Sequence, residues 1–99
     1  MNSKKEALKL QEKLRGKIEL KGKIKVNKES LPLVYTPYVA EVVNEISKNK
    51  KNIYRYTGKG NNIAIISDGT RILGLCNLGG EAALPVMEGK ALLYKIYGD

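Results

Sequence analysis

Apolar side chains recur at helical spacing near the start of the chain. Ala7, Leu10 and Leu14 stand three and four positions apart among lysines and glutamates, a spacing that places them on one face of an α-helix. Gly16 follows at a position where glycine commonly ends a helix. The pattern predicts a short amphipathic helix. The loose alternation at 17–29 then fits either an edge strand or an extended connector.

A second helix is predicted to start at Thr36-Pro37. A threonine hydroxyl can cap the first free amides, and proline suits the first helical position because its missing N–H costs nothing there. The helix then presents one apolar face, made by Val39, Ala40, Val43 and Ile46. We expect it to end near residues 48–52, whose lysines suit the negative end of the helix dipole.

The dipeptide Asp68-Gly69 separates an isoleucine-rich run at 62–67 from a short apolar run at 71–75. Such a dipeptide between apolar runs is a strong signal for a β-hairpin. Gly79-Gly80 then interrupts the chain, and a helix is expected over 82–97 with Pro85 in its first turn. Helices and one hairpin together predict a mixed α/β fold.

The segment from Gly74 to Gly79 has the outline of a dinucleotide-binding fingerprint. Cys76, however, occupies the middle position, where glycine lets the backbone approach a pyrophosphate. A tight turn from strand to helix is therefore the better interpretation.

Composition limits the class of protein. Ninety-nine residues with 42% hydrophobic side chains suit one small globular domain, and no apolar run approaches the roughly 18 residues of a membrane span. The single cysteine cannot form an internal disulfide, and no apolar leader follows the N-terminal lysines. These features predict a cytoplasmic, reducing setting with no membrane partner.

The net charge of +8 is concentrated at the N-terminal end, where residues 1–28 carry ten Lys or Arg against three Glu. A solvated surface explains this segment better than a nucleic-acid interface, because no nucleic-acid-binding motif accompanies the charge. Tyrosines are also absent from residues 1–34, so lysines and stacking aromatics are not interleaved. A non-catalytic basic binding module remains the alternative from a different class.

Without histidine and with one cysteine, acid–base chemistry must fall to Tyr, Lys, Asp or Glu. Lys90 has large apolar neighbours at helical spacing, so it is either a snorkelling surface lysine or a partly desolvated general base. Tyr35 precedes the predicted helix start, either as a packing residue or beside an anion. Arg71 has a guanidinium suited to a carboxylate, although a surface role is commoner.

Three stretches carry a resemblance when taken together: L-P-L-V-Y-T-P at 31–37, S-D-G-T-R-I-L-G-L at 67–75 and L-P-V-M-E-G-K-A-L-L at 84–93. They resemble the short-subunit bacterial and archaeal malic enzymes, over nearly the whole chain. Cys76 departs from that pattern, because it replaces a glycine usual in G-L-G-N. The resemblance implies that residues 1–99 are the N-terminal part of the substrate domain, without the Rossmann domain.

The resemblance also implies an activity, the oxidative decarboxylation of L-malate to pyruvate and carbon dioxide with NAD or NADP and a divalent cation, Mg or Mn. It assigns Tyr35 as the general acid that protonates the enolpyruvate carbon, Lys90 as the general base on the malate hydroxyl, and Arg71 as a substrate-carboxylate ligand. It implies no cofactor or metal ligand within these 99 residues, and a homodimer as the whole protein. A malolactic enzyme of the same family holds the same residues.

Overall fold

The structure is a computed structural model that describes residues 2–99. Its regular elements are all helical within that range. The α-helices are α1 (Ser3–Leu14), α2 (Leu31–Val34), α3 (Val39–Lys48), α4 (Ile53–Tyr56) and α5 (Gly80–Gly98), and short 3₁₀ turns lie at Lys50–Asn52 and Gly58–Asn61. No helix among these residues is both long and apolar enough to cross a membrane.

The chain divides into two compact units. One unit, here the Lys90 unit, combines the N-terminal segment through Leu20 with Ile65–Asp99, and the other, the Tyr35 unit, is Lys21–Ala64. The first therefore joins segments that are distant in sequence, whereas the second is a single continuous stretch.

The predicted N-terminal helix is confirmed as α1. The side chain of Asn2 accepts a hydrogen bond from the Lys5 amide, which caps the helix at its start. Its end differs from the prediction by one residue, because Arg15 with φ of 51° forms the left-handed cap. Residues 17–29 form no helix or strand, so the edge-strand alternative is wrong and this segment is a connector.

The predicted helix start at Thr36-Pro37 is wrong by two residues, because the cap is Tyr38 instead of Thr36 and the first helical residue is Val39 instead of Pro37. Helix α2 ends at Val34, and α3 begins only at Val39. Backbone carbonyls, and not the Thr36 hydroxyl, satisfy the first amides of α3: Val39 donates to Tyr35 at 2.9 Å and Ala40 to Pro37 at 3.3 Å. The carbonyl oxygens of this turn therefore replace the predicted side-chain cap. The other end of α3, at Lys48, agrees with the prediction.

The predicted β-hairpin is also wrong, since no strand forms within residues 2–99. Gly69 is buried, and its carbonyl accepts from the Gly79 amide at 3.2 Å instead of pairing across a hairpin. The run at 71–75 closes on itself, because the Ile72 amide donates to the Cys76 carbonyl at 3.0 Å. Local turns and the contact with Gly79 therefore occupy backbone N–H and C=O groups that would have to pair across the two strands of a hairpin.

Helix α5 confirms the predicted C-terminal helix but starts two residues earlier, at Gly80. Pro85 consequently lies beyond the first turn, where its missing N–H removes one i to i−4 hydrogen bond. Good helix formers, Ala82, Ala83, Met87, Ala91 and Leu92, surround it and favour continuation.

Buried apolar surface is scarce in the described residues. Only Ile72 and Ala83, 5% and 2% exposed, are buried hydrophobic residues, and both belong to the Lys90 unit. In contrast, Leu20 is 99% exposed and Ile66 is 92% exposed. The buried apolar side chains of the described residues therefore lie in the loop at 69–79 and at the start of α5.

Candidate functional site

Lys90 lies on α5, one position beyond the Glu88-Gly89 pair, and its side chain is exposed. Val86 and Met87 beside it are half-buried, whereas Leu93 and Tyr94 are 52% and 50% exposed. The apolar neighbours predicted from helical spacing are present. They do not enclose the amine, so the described residues alone do not supply the desolvation that the sequence suggested.

Arg71 is exposed and lies in the loop that precedes α5, not at the start of a strand. Two short hydrogen-bonded turns order the backbone that immediately precedes Arg71. The Ser67 hydroxyl accepts from the Gly69 amide at 3.1 Å, and Asp68 Oδ1 accepts from the Thr70 amide at 3.0 Å. The hydrogen bonds from Thr70 lower the pKa of Asp68 below its ordinary value of 3.8, because they favour the charged carboxylate.

Gly69 fits this loop because no larger residue could. Its φ of +71° is in the left-handed region, and a Cβ there would lie 2.0 Å from the Gly79 carbonyl oxygen. Glycine thus permits the close approach that attaches the Arg71 loop to the start of α5.

Tyr35 is 66% exposed and sits at the C-terminal end of α2. Its amide donates to the Leu31 carbonyl at 3.0 Å, while its own carbonyl accepts from Val39. The backbone of Tyr35 therefore links α2 to α3, and its phenol is available to solvent. The sequence placed it directly before a helix start; it stands four residues before one.

The three sequence-predicted residues divide between the units: Arg71 and Lys90 belong to one, and Tyr35 to the other. Within residues 2–99 no hydrogen bond or ion pair occupies their side chains. In comparison, Lys48 is paired with Glu45 at 2.8 Å and Lys95 with Asp99. All three polar groups are thus accessible for an external ligand.

Sequence reasoning assigned no role to Lys17 and Glu88, which the structure brings together. The Lys17 amide donates to Glu88 Oε2 at 3.1 Å, and Lys17 Nζ donates to the Pro85 carbonyl at 3.1 Å. These residues line a cavity of about 190 Å³ together with Gln11 and Gly16. No local pattern in the sequence signals this contact, because the two residues lie 71 positions apart.

The described residues do not form a metal or nucleotide site of their own. Among residues 2–99 no group of three His, Cys, Asp or Glu side chains could hold a metal ion. The predicted turn from strand to helix at Gly74–Gly79 is wrong in its strand: the segment leads into α5 from a loop, with Cys76 at φ of +64°. No strand precedes it, so it lacks the context of a dinucleotide-binding loop.

Comparison with known proteins gives a consistent family. Residues 13–99 match the family described as malic enzyme, N-terminal domain. The bifunctional malic/malolactic enzyme of Bacillus subtilis is 49% identical over 98 residues, which are 98% of this chain and 24% of that protein. The NAD-dependent malic enzyme of Geobacillus stearothermophilus is 49% identical over 81 residues, 81% of this chain and 17% of that protein. This chain therefore spans about a quarter or less of the length of these relatives.

Solved structures agree. The NAD-dependent malic enzyme of Thermotoga maritima superposes with a TM-score of 0.87 at 45% identity, covering 91% of this chain and 26% of that one. The malic enzyme of Pyrococcus horikoshii gives 0.76 at 54% identity, covering 79% and 18%. Family and fold together identify this chain as a member of the malic enzyme family, corresponding to its N-terminal domain.

Proposed function

We propose that this chain supplies the acid, the base and a carboxylate ligand to the substrate site of an enzyme that converts L-malate to pyruvate and carbon dioxide. The observation that carries the proposal is the accessibility of Tyr35, Lys90 and Arg71. All three are exposed, and all lie within the matched residues 13–99.

Lys90 is the base in this proposal. Its amine accepts the proton of the malate C2 hydroxyl while the C2 hydrogen departs as a hydride. In the whole protein the hydride acceptor would be NAD or NADP, and relatives named as NADP-dependent and NAD-dependent support either nucleotide.

Tyr35 is the acid. After carbon dioxide has left, its phenol donates a proton to C3 of enolpyruvate, which becomes the methyl carbon of pyruvate. Arg71 holds a substrate carboxylate through paired N–H donors, which fixes the orientation of C2 relative to the base.

The nucleotide and a divalent cation, Mg or Mn, belong to the whole protein in this proposal. The described residues offer neither a metal cluster nor a nucleotide loop, and no step above passes through a metal. The same proposal includes a cytoplasmic homodimer. Sedimentation of the whole protein would check the dimeric state.

A chimera tests the function directly. This chain replaces the matching N-terminal segment of the Bacillus subtilis relative, hereafter the chimera, and L-malate oxidation is followed by the absorbance of reduced nucleotide. We expect the chimera to release pyruvate and carbon dioxide, and the 99-residue chain alone to do neither and to bind no nucleotide by calorimetry. A folded chimera that binds L-malate without turnover would contradict the proposal.

A further inference from the structure

Lys17 connects two segments of the Lys90 unit that are far apart in sequence. Its amide reaches Glu88 Oε2 at 3.1 Å across 71 positions, in a partly buried contact. Its ammonium reaches the Pro85 carbonyl at 3.1 Å and Gln11 Oε1 at 2.8 Å. One residue thus joins the end of α1 to two positions on α5 that are three residues apart.

These contacts fall on the part of α5 that is weakest by sequence. Pro85 removes a backbone hydrogen bond from the helix, and Gly89 is the poorest helix former after proline. Lys90 follows directly. The helical turn that carries the proposed base therefore has the lowest intrinsic helical stability in this part of α5. A contact from outside the helix has a large effect on its stability.

Gly16 explains how the Lys17 amide reaches the carboxylate. Its φ of +115° lies in a region that L side chains rarely adopt. The glycine turns the chain after the Arg15 cap, and the next amide then meets Glu88. A Cβ at Gly16 would find Glu88 Oε2 at 3.8 Å, so backbone conformation and not space makes glycine necessary here.

From these contacts we infer that Glu88, held by Lys17, is a positioning residue that orders the helical turn carrying Lys90. The inference rests on the proposed role of Lys90 as the base. Glu88 does not contact substrate in this scheme. It fixes the backbone at 85–89, and so limits the directions in which the Lys90 amine can point.

A solvated glutamate with no such role makes the opposite prediction. Alanine is the best helix former, so Glu88→Ala at an indifferent helical site leaves the helix unchanged or strengthens it. Loss of the Lys17 contact instead loosens the helix despite the better propensity. The sign of the change therefore separates the two explanations.

The experiment uses the chimera and its Glu88→Ala, Glu88→Gln and Lys90→Ala variants. For Glu88→Ala we expect kcat to fall by about tenfold, the loss typical of one hydrogen bond to a charged group, with KM for L-malate nearly unchanged. Amide exchange at 89–91 should become faster, while exchange at 96–98 stays the same. Glu88→Gln retains an oxygen acceptor for the Lys17 amide and should restore both values to near those of the parent.

The remaining outcomes are also decisive. If Glu88→Ala does not fold, Lys17→Met, which loses the bond to the Pro85 carbonyl and keeps the amide, should lower kcat by about threefold, a fraction of the loss for one hydrogen bond. Unchanged exchange at 89–91 and unchanged kcat in these variants would overturn the inference while leaving the proposed function intact. A fully active Lys90→Ala chimera would overturn the proposed base, and the positioning role with it.

Discussion

The two units of the chain are ordered by different kinds of contact. In the Tyr35 unit, side-chain hydrogen bonds join residues at most seven positions apart, such as Asn52 to the Glu45 carbonyl. In the Lys90 unit, the Lys17 contacts with α5 span 68 and 71 positions, and Ile72 and Ala83, the buried hydrophobic residues among residues 2–99, lie there. The surroundings of Tyr35 are thus set by adjacent sequence, whereas those of Lys90 depend on closing distant segments.

This difference predicts where substitutions have effects beyond their own position. A change in the Tyr35 unit should alter one turn. A change at a closing contact of the Lys90 unit should alter the loop that carries Arg71 and the helix that carries Lys90. We expect these differences to be measurable in the chimera, from the largest effect to the smallest.

The largest effect is expected for Lys90→Ala. Positioned general-base catalysis contributes roughly 10²–10⁴-fold in rate, so kcat should fall by about that factor with thermal melting unchanged. Lys95→Ala is the matched control, because Lys95 is on the same helix and pairs only with Asp99 near its end. Equal, small losses in the two variants would make Lys90 an ordinary surface lysine.

Gly69→Ala should be the most destabilising substitution in the loop. The added Cβ overlaps the Gly79 carbonyl and must adopt a positive φ, which together should lower the free energy of unfolding by about 2–4 kcal/mol. Gly22→Ala in the Tyr35 unit is the control, since its Cβ would meet the Ile24 carbonyl at an ordinary 3.6 Å. Denaturant unfolding measures both; similar losses would contradict the comparison of the units.

Cys76→Gly should stabilise the same loop slightly. Cys76 has a φ of +64°, which disfavours any residue with a Cβ, so glycine should raise the free energy of unfolding by about 0.5–1 kcal/mol after its own entropy cost. Cys76→Ala keeps the Cβ and should change little. A gain with alanine equal to the gain with glycine would point to the thiol and not to the backbone.

The smallest effect is expected for the turn at Asp68 when the pH is lowered. Hydrogen bonds from Thr70 lower the pKa of Asp68 below 3.8 in the folded chain. Its contribution to stability is therefore present above its unfolded pKa and is lost as pH falls through the folded value. Exchange of the Thr70 amide should accelerate below about pH 3.8 and show no step between pH 5 and 8; Asp68→Asn should abolish the acid step.

The extent of sequence prediction follows the same division. Helices α1 and α5 were predictable because their spacing and caps are local. The absence of a hairpin was not predictable. The Gly69 carbonyl accepts a hydrogen bond from the Gly79 amide ten residues later, and no local sequence rule indicates that contact. The predicted Thr36 cap was wrong because the first amides of α3 donate to neighbouring backbone carbonyls instead of to the Thr36 hydroxyl.

The candidate site divides in a similar way. Tyr35, Arg71 and Lys90 could be named as candidates from motifs, since their chemical types and sequence contexts carry the signal. Lys17 and Glu88 were not, because a contact across 71 positions has no periodicity. The sequence left open whether Lys90 is exposed or enclosed, because helical spacing identifies neighbours but not whether they enclose a side chain.

The central claim is that the Tyr35 unit supplies the acid and the Lys90 unit the base. Turnover of L-malate in deuterium oxide by the Tyr35→Phe chimera tests it most directly, with solvent deuterium in the pyruvate methyl group resolved over time. Removing only the phenolic hydroxyl should preserve L-malate binding and slow deuterium uptake into the methyl carbon, while Lys90→Ala should slow formation of reduced nucleotide. Deuterium uptake in Tyr35→Phe at the rate of the parent would contradict the claim and leave Tyr35 with its backbone role between α2 and α3.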